Sequence, residues 1–366
     1  MIFLSSVLPA LIVLGVLIII HEFDHFLACR ISGVKVEKFS IGFGPEIFSW
    51  QGKETRYVVS LLPLGGFVKP AGESVSETDA SGPKPGDYLA APLLSKIFIV
   101  VAGVLMNYLL AYVLFTGIFM IGRPIPGTTI ATFVDGYPAA TSGLQKGDRI
   151  LTIQGAGVNT WRELTDALDK APEGALQLTV QRGTQTETIS MTPKTDDVKD
   201  IFGHAVRLRR LGITPDAASS QFEKYGFGDS LKMAWDTVSM QVTMTYKALF
   251  YLAMGKLSMK TISGPIGIIT MTGNAVHLGW TYLLQLAASL SISLAVINLL
   301  PVPALDGGHL LFLLIEGVIR KPVSLKVQER ATQVGFYLLL GLMVFVVYND
   351  IMNLEVIERV KHIFIK

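Results

Sequence analysis

Five consecutive residues, His21-Glu22-Phe23-Asp24-His25, carry the side chains best suited to chemistry in this chain. On a helix, residues four apart stand one turn above each other, so His21 and His25 can turn both imidazoles toward one ion. In an H-E-x-x-H helix neutral imidazoles hold zinc, and the glutamate is the general base for a water whose pKa the ion lowers to roughly 7. That is hydrolytic chemistry. The same pattern arises by chance on water-exposed helices, as two surface histidines flanking a solvated acid. Here it ends an apolar run from Val7 to Ile20. An ionisable group at the centre of a membrane helix costs about 2.5–3.5 kcal/mol on insertion scales, so such groups face a partner or a cavity.

Two imidazoles leave a catalytic zinc one protein ligand short of the usual three. The segment Asn298-Leu-Leu-Pro-Val-Pro-Ala-Leu-Asp-Gly-Gly-His309 breaks a later apolar stretch with two prolines and a glycine pair. Non-helical backbone at membrane depth is tolerated where it lines a cavity or site. Asp306 is the lone acid of that stretch and is assigned as the third ligand; a counter-ion to a buried base is the competing role, but the span holds no Lys or Arg. His309, one turn on, is the competing ligand.

The elements that position these groups follow from composition. Of 366 residues, 50% are hydrophobic and 16% charged, against about 25% charged in soluble domains, and the mean hydropathy is +0.48. An integral membrane protein is expected. The net charge of +2 is too small and scattered for a nucleic-acid partner, so basic residues are better read as topology signals. Cys29 is the single cysteine, which gives no internal disulfide, no thiolate cluster and no convincing nucleophile. Met1 to Ser6 carry no basic n-region and no small-residue cleavage site follows Ile20, so the start reads as a retained span rather than a signal peptide.

Four apolar segments reach the length of about 20 residues that a bilayer requires: Ile2 to Ala28, Leu93 to Ile121, Trp280 to Ile315 and Val334 to Tyr348. Arg30, Lys35 and Lys38 follow the first, Lys96 opens the second, and Arg320, Lys321, Lys326 and Arg330 separate the last two. By the positive-inside rule those loops are cytoplasmic, both termini and the region from Gly122 to Gly279 are extracytoplasmic, and the metal site lies toward the cytoplasmic leaflet.

Between the first two spans, short β-prone runs punctuated by Gly42, Gly44, Gly65 and Gly66 read as hairpins. Ile41, Phe43, Leu61, Leu62 and Leu64 supply apolar tips suited to a sheet dipping beside the metal site, where an exposed edge could hold an extended peptide by strand addition. Glu73 to Tyr88 reads as a loose loop. Beyond the second span, Thr128 to Thr192 reads as a compact α/β module, and Pro138 to Gly155, with its P-A-A-x-S-G-L-x-x-G-D-x-I order, resembles the PDZ domain signature. Such a module binds peptide termini or strands, or acts as a rigid spacer. Phe227 to Met254 reads as an amphipathic interfacial helix, with a fifth span as the rival.

Taken together, H-E-x-x-H, the G-x-G and P-L-G-G-x-V-K stretches, the PDZ-like module, Ser263-Gly-Pro-Ile-Gly and N-x-x-P-x-P-x-L-D-G-G resemble the site-2 protease family over nearly the whole length, most closely its bacterial RseP-type intramembrane metalloproteases. The resemblance implies an α-helical polytopic membrane protein with four transmembrane helices, a membrane-associated β-hairpin region and an extracytoplasmic PDZ α/β module, in the bacterial inner membrane. It implies zinc ligands His21, His25 and Asp306, general base Glu22, a substrate contact at Asn298, and substrate-presenting β-elements at Gly42 to Gly44 and Gly65 to Lys69. The implied partners are lipid and single-span membrane proteins, anti-sigma factors or remnant signal peptides among them, with a possible peptide or protein ligand for the PDZ module. The expected divisions are 1–28 (first span), 29–92 (cytoplasmic β-rich region), 93–121 (second span), 122–215 (PDZ region), 216–279 (interfacial helix and connector), 280–315 (third span), 316–333 (cytoplasmic loop), 334–350 (fourth span) and 351–366 (tail).

Where the family most often has glycine, this chain has Asp24, which could pair with Arg30, and it carries one PDZ-like unit where some relatives carry two. A second class of reading is a catalytically impaired, membrane-anchored PDZ binding protein whose metal site is structural or decayed; a structural zinc should have four protein ligands and no open position. A metal transporter is disfavoured, because one metal helix and a single acid lay out no path across a bilayer.

Overall fold

The computed structural model describes residues 3–73, 82–199, 205–257 and 263–353. Part of the predicted loop between Glu73 and Tyr88, and the predicted tail beyond residue 353, lie outside the described residues. The chain divides into two compact units, the first formed by 1–117, 228–250 and 258–366, the second by 118–227 and 251–257.

In the first unit, a short π-helix (Phe3–Val7) leads into helix α1 (Leu8–Ile31). Pro9 sits in its first turn, where the missing N–H costs nothing. Its other end is closed by backbone alone: Gly33, at φ +74°, donates to the Arg30 carbonyl at 3.2 Å and Val34 donates to Cys29 at 2.8 Å. A left-handed glycine is what that double closure requires. The buried residues of α1 include Ala10, Leu17, His21, Asp24 and Ala28, spaced as one helical stripe, so the chemical residues lie on the face that packs inward. Arg30 pairs with Glu54 rather than with Asp24.

The predicted hairpins are two long strands, β1 (Val36–Gln51) and β2 (Arg56–Pro70), paired antiparallel. Gly42 and Gly44, at φ +92° and +89°, bend β1 without ending it. Through that bend Ile41 partners both Gly66 and Val59, so the first half of β1 lies between the two halves of β2. Phe43, Ile47, Phe48, Trp50 and Leu61 are exposed, an apolar surface larger than scattered single residues would give.

Helices α2 (Leu93–Ile121), α4 (Phe227–Ala253), α5 (Pro265–Leu278), α6 (Trp280–Asn298), α7 (Asp306–Ile319) and α8 (Leu325–Asn353) complete the helical set, with α3 (Trp161–Lys170) in the second unit. Four helices are long and apolar enough to cross a membrane: Leu4–Ile31, Leu93–Ile121, Trp280–Asn298 and Lys326–Met352. α4 is not among them. The stretch 280–315 is two helices, α6 and α7, divided by the proline-rich loop, and α5 precedes it as a separate helix ending at Gly279, φ +118°. Helix α8 carries Asp350, whose carboxylate accepts the N–H groups of Gly264, Ile266 and Gly267 at 2.9–3.0 Å. A distant acid thereby caps α5, satisfying donors that have no partner within their own helix.

The second unit is built on a four-stranded sheet in the order β6 (Ala156–Gly157), β5 (Arg149–Ile153), β7 (Leu176–Arg182), β8 (Gln185–Met191). Shorter antiparallel pairs join β3 (Arg123–Ile125) to β12 (Gln221–Glu223), β4 (Ile130–Phe133) to β11 (Ile213–Pro215), and β9 (Lys194–Lys199) to β10 (Ala205–Arg210). Along β7, Leu176, Leu178 and Val180 are fully buried, the period-2 pattern of a half-buried strand. They share a core with Ile150, Ile153, Leu164 and Leu168, the last two from helix α3 (Trp161–Lys170). Thr160 and Glu163 close a reciprocal capping box at its start.

Asp148 fixes the turn that enters β5. Its side chain is 1% exposed; it accepts the Gln145 backbone N–H at 2.8 Å and two Arg182 donors at 2.9 and 2.7 Å. Hydrogen bonding to Arg182, then to the Gln145 backbone, holds the Asp148 carboxyl below its ordinary range. A depressed folded-state pKa stabilises the fold above the unfolded value of about 3.9, and that contribution is lost as pH falls through the folded one. Hydrogen exchange of β5 and β7 amides in the detergent-solubilised chain should therefore show protection that declines below about pH 4. Asp148→Asn should already be less protected at pH 7, by about 1.5–3 kcal/mol, with a flatter acid limb.

Candidate active site

Helix α1 sets His21 and His25 one turn apart, with ring centroids 4.8 Å apart and rings nearly perpendicular. Their Nε2 atoms lie 3.3 Å apart. Asp306, the first residue of α7, brings Oδ2 to 3.2 Å from His21 Nε2 and 3.5 Å from His25 Nε2. Among the described residues, these three form the group of His, Cys, Asp and Glu side chains close enough to hold one metal ion. His309 lines the same cavity but stands outside that group.

The donor set fits zinc. Tetrahedral ligands at about 2.0–2.1 Å from an ion are about 3.3–3.4 Å from one another, and the three separations here are 3.3, 3.2 and 3.5 Å. Asp306 Oδ2 is buried and makes no hydrogen bond of acceptable geometry despite facing two imidazoles. A cation at their centre satisfies such an oxygen.

Glycines make the closeness possible. A Cβ on Gly103 of α2 would stand 2.4 Å from His25 Nε2 and 2.8 Å from His21 Cε1. In the loop between α6 and α7, a Cβ on Gly307 would meet the Leu300 carbonyl oxygen at 2.2 Å, and one on Gly308 the Val302 oxygen at 2.5 Å. On α8, Gly335 abuts the Pro303 carbonyl, which a Cβ would meet at 1.8 Å. The Asp-Gly-Gly sequence is thus a steric condition for placing Asp306.

Glu22 and its surroundings complete the site. Glu22 lines a cavity of 650 Å³ with His21, His25, Asp306, Val68 and Lys96, and it takes the Val68 backbone N–H of β2. Gly66 lies against it: a Cβ there would sit 3.1 Å from Glu22 Cγ and 2.7 Å from the Ser40 carbonyl oxygen. Gly65 is buried with its α-carbon facing the Phe43 ring. Gly42 and Gly44 shape β1 and do not line the cavity. Asn298 ends α6 with its amide nitrogen 3.3 Å from His21 Nε2.

Sequence reasoning missed the wall behind the imidazoles. Ile99, Gly103 and Asn107 lie at i, i+4 and i+8 on α2: the Ile99 carbonyl is 2.8 Å from His25 Nδ1, and the Asn107 amide is 3.1 Å from His21 Nδ1. Its signal was an asparagine and a glycine one turn apart in an otherwise apolar span, since polar groups at membrane depth mark function.

A family model described as "Peptidase family M50" matches residues 9–342. The chain is 33% identical to a protein of Agrobacterium fabrum over 361 residues, covering 95% of this chain and 96% of that one. It is 35% identical to one of Campylobacter jejuni over 344 residues, 94% and 92% of the two chains. A third, from Clostridium perfringens, is 34% identical over 343 residues, 93% and 97%. All three bear names that call them zinc metalloproteases.

Gly103→Ala should cost roughly 10-fold or more in zinc affinity, the scale typical of disturbing groups around a metal ligand. Gly117→Ala in the same helix, where an added Cβ meets nothing within 4 Å, should bind as wild type does. Chelator competition on the two purified variants separates the outcomes.

Proposed function

The chain belongs to peptidase family M50 and is a membrane zinc metalloprotease; we propose that it hydrolyses peptide bonds within transmembrane segments of single-span proteins. His21, His25 and Asp306 would hold the ion, with Glu22 as general base. The carrying observation is the meeting of that ligand group, the Glu22 carboxylate and the edge of β2 in one cavity. When bound, zinc supplies a Lewis acid that polarises a peptide carbonyl and acidifies water.

The chain's own groups do the rest. Glu22 takes the proton of the attacking water and returns it to the leaving amine. Its hydrogen bond from Val68 and its contact with Gly66 hold it between α1 and the sheet. The substrate must unwind first, because the amides of a membrane helix are bonded within it and cannot be left unpaired in hydrocarbon. Pairing with the 66–70 edge of β2 would replace those bonds by strand addition, and the exposed Phe43, Ile47, Phe48 and Trp50 suit a sheet seated in lipid. The Asn298 amide, 3.3 Å from His21 Nε2, would bond substrate backbone.

The wider reading follows the same logic. The spans would lie in a bacterial inner membrane with both termini and the second unit extracytoplasmic. That unit would act as a PDZ module that filters or recruits substrates, with anti-sigma factors and remnant signal peptides as the substrate types. Three protein ligands favour catalysis over a structural zinc, which takes four.

Glu22→Gln should retain zinc and lose cleavage of a truncated single-span reporter by about 10²–10⁴-fold, the usual worth of general acid–base catalysis. Mass spectrometry should place the wild-type cut inside the reporter's apolar segment. A Gln variant as active as wild type, or a cut confined to the reporter's water-exposed tail, would overturn the reading.

A further inference from the structure

Asn107 is fully buried within α2, and among the described residues its amide is the side chain that meets His21 Nδ1. Resting on the ligand assignment proposed above, we infer that Asn107 is a positioning residue for His21: in the zinc-loaded protein its Oδ1 accepts a hydrogen bond from Nδ1–H and so keeps the Nε2 lone pair aimed at the ion.

The two histidines are supported differently. His25 Nδ1 faces the Ile99 backbone carbonyl at 2.8 Å. A carbonyl only accepts, so His25 Nδ1 carries a proton and its Nε2 is a lone pair. A metal-binding histidine needs such an acceptor behind it to fix its tautomer. His21 has no carbonyl in that place; it has a carboxamide, which offers a donor on one side and an acceptor on the other, exchanged by a half-turn about Cβ–Cγ.

As the structure places it, Nδ2 faces His21 Nδ1 at 3.1 Å and Oδ1 is buried with no hydrogen-bond partner. With Nδ2 donating to Nδ1, the His21 proton sits on Nε2, which has His25 Nε2 at 3.3 Å, while Asp306 Oδ2 stays without a hydrogen bond. Ligation through Nε2 demands the other tautomer, and the half-turn that brings Oδ1 to Nδ1 supplies it. Because nothing partners the far side of the amide, that side does not choose the orientation; the His21 tautomer does. The exchange requires only the side chain to turn, and Ser291 Oγ donates to the Asn107 backbone carbonyl at 2.8 Å. Asn107 can therefore serve both tautomers, as the Ile99 carbonyl cannot.

The test measures zinc affinity of the full chain in detergent by competition with a chelator of known affinity, for wild type, Asn107→Asp, Asn107→Leu and His21→Ala. Thermal unfolding of the zinc-free proteins serves as the folding control. Asp retains an acceptor and should bind within about threefold of wild type or tighter, whereas Leu removes it and should bind roughly 10–100-fold more weakly with zinc-free melting preserved. Leucine binding as wild type does, while His21→Ala fails to bind, would overturn the inference alone; His21→Ala binding as wild type does would overturn the ligand assignment beneath it. Should the leucine variant not fold, wild type labelled with ¹⁵N-asparagine decides. The Asn107 carboxamide signal, identified by its absence from Asn107→Asp, is expected to shift on adding zinc, and an unchanged signal overturns the proposed turn of the amide.

Discussion

The structure is governed by the demand that two imidazole nitrogens and a carboxylate oxygen lie within 3.5 Å of one another inside an apolar helix bundle. Burying such groups is unfavourable unless each is paired. The pairing here comes from α1, α2 and the start of α7, elements far apart in sequence. Close approach of backbones is consequently worth more than side-chain volume. Gly103, Gly307, Gly308 and Gly335 each stand where one added carbon would strike a ligand or the loop that carries it. Glycine in a helix interior is ordinarily unfavourable by roughly 0.5–1 kcal/mol relative to alanine; at these positions that penalty is smaller than the clash avoided.

The same economy of backbone explains the helical frame. The loop between α6 and α7 is closed by short turns, Val302 donating to the Leu300 carbonyl and Leu305 to that of Val302, and α8 packs against it through Gly335. At its other end α8 holds α5 by the Asp350 carboxylate. One helix thus braces both the Asp306 loop and the helix before α6. An acid buried among three backbone donors is well satisfied, which is how Asp350 can be 4% exposed with no basic partner among the described residues.

How much of this could be read beforehand follows from the range of each interaction. His21 and His25 are four residues apart, and the helix brings them together with no help from the fold, so their pairing was legible. The break at Asn298 to Asp306 was legible because proline and glycine act locally. The inward pattern of β7 shows in its alternation. Glycines in the first β region misled, being read as ends of short hairpins; with positive φ at Gly42 and Gly44, they are bends within one strand. The Asp350 cap spans 83–86 residues and the Asn107 contact 86. No local spacing encodes either, and only the oddity of a polar residue in an apolar span points to them. Arg30 shows the converse, since its nearest acid in sequence, Asp24, lost to Glu54.

The contact between Glu22 and β2 links the base to whatever pairs with that strand. Gly66 has no room for a side chain, because the Ser40 carbonyl lies on one side and Glu22 on the other, and the Val68 N–H is committed to Glu22. Sliding the strand by one residue would carry Phe67 or Gly65 into the place of Gly66 and turn every side chain to the opposite face. The register of β2 against β1 therefore sets where the carboxylate stands relative to His21 and His25. An extended peptide pairing with the 66–70 edge would take its own register from the same backbone. The strand proposed to hold the substrate and the group proposed to activate water thus share one reference frame. In hydrocarbon, where neither partner can be positioned by water, that shared frame is the physical route by which a particular peptide bond could be brought to the base.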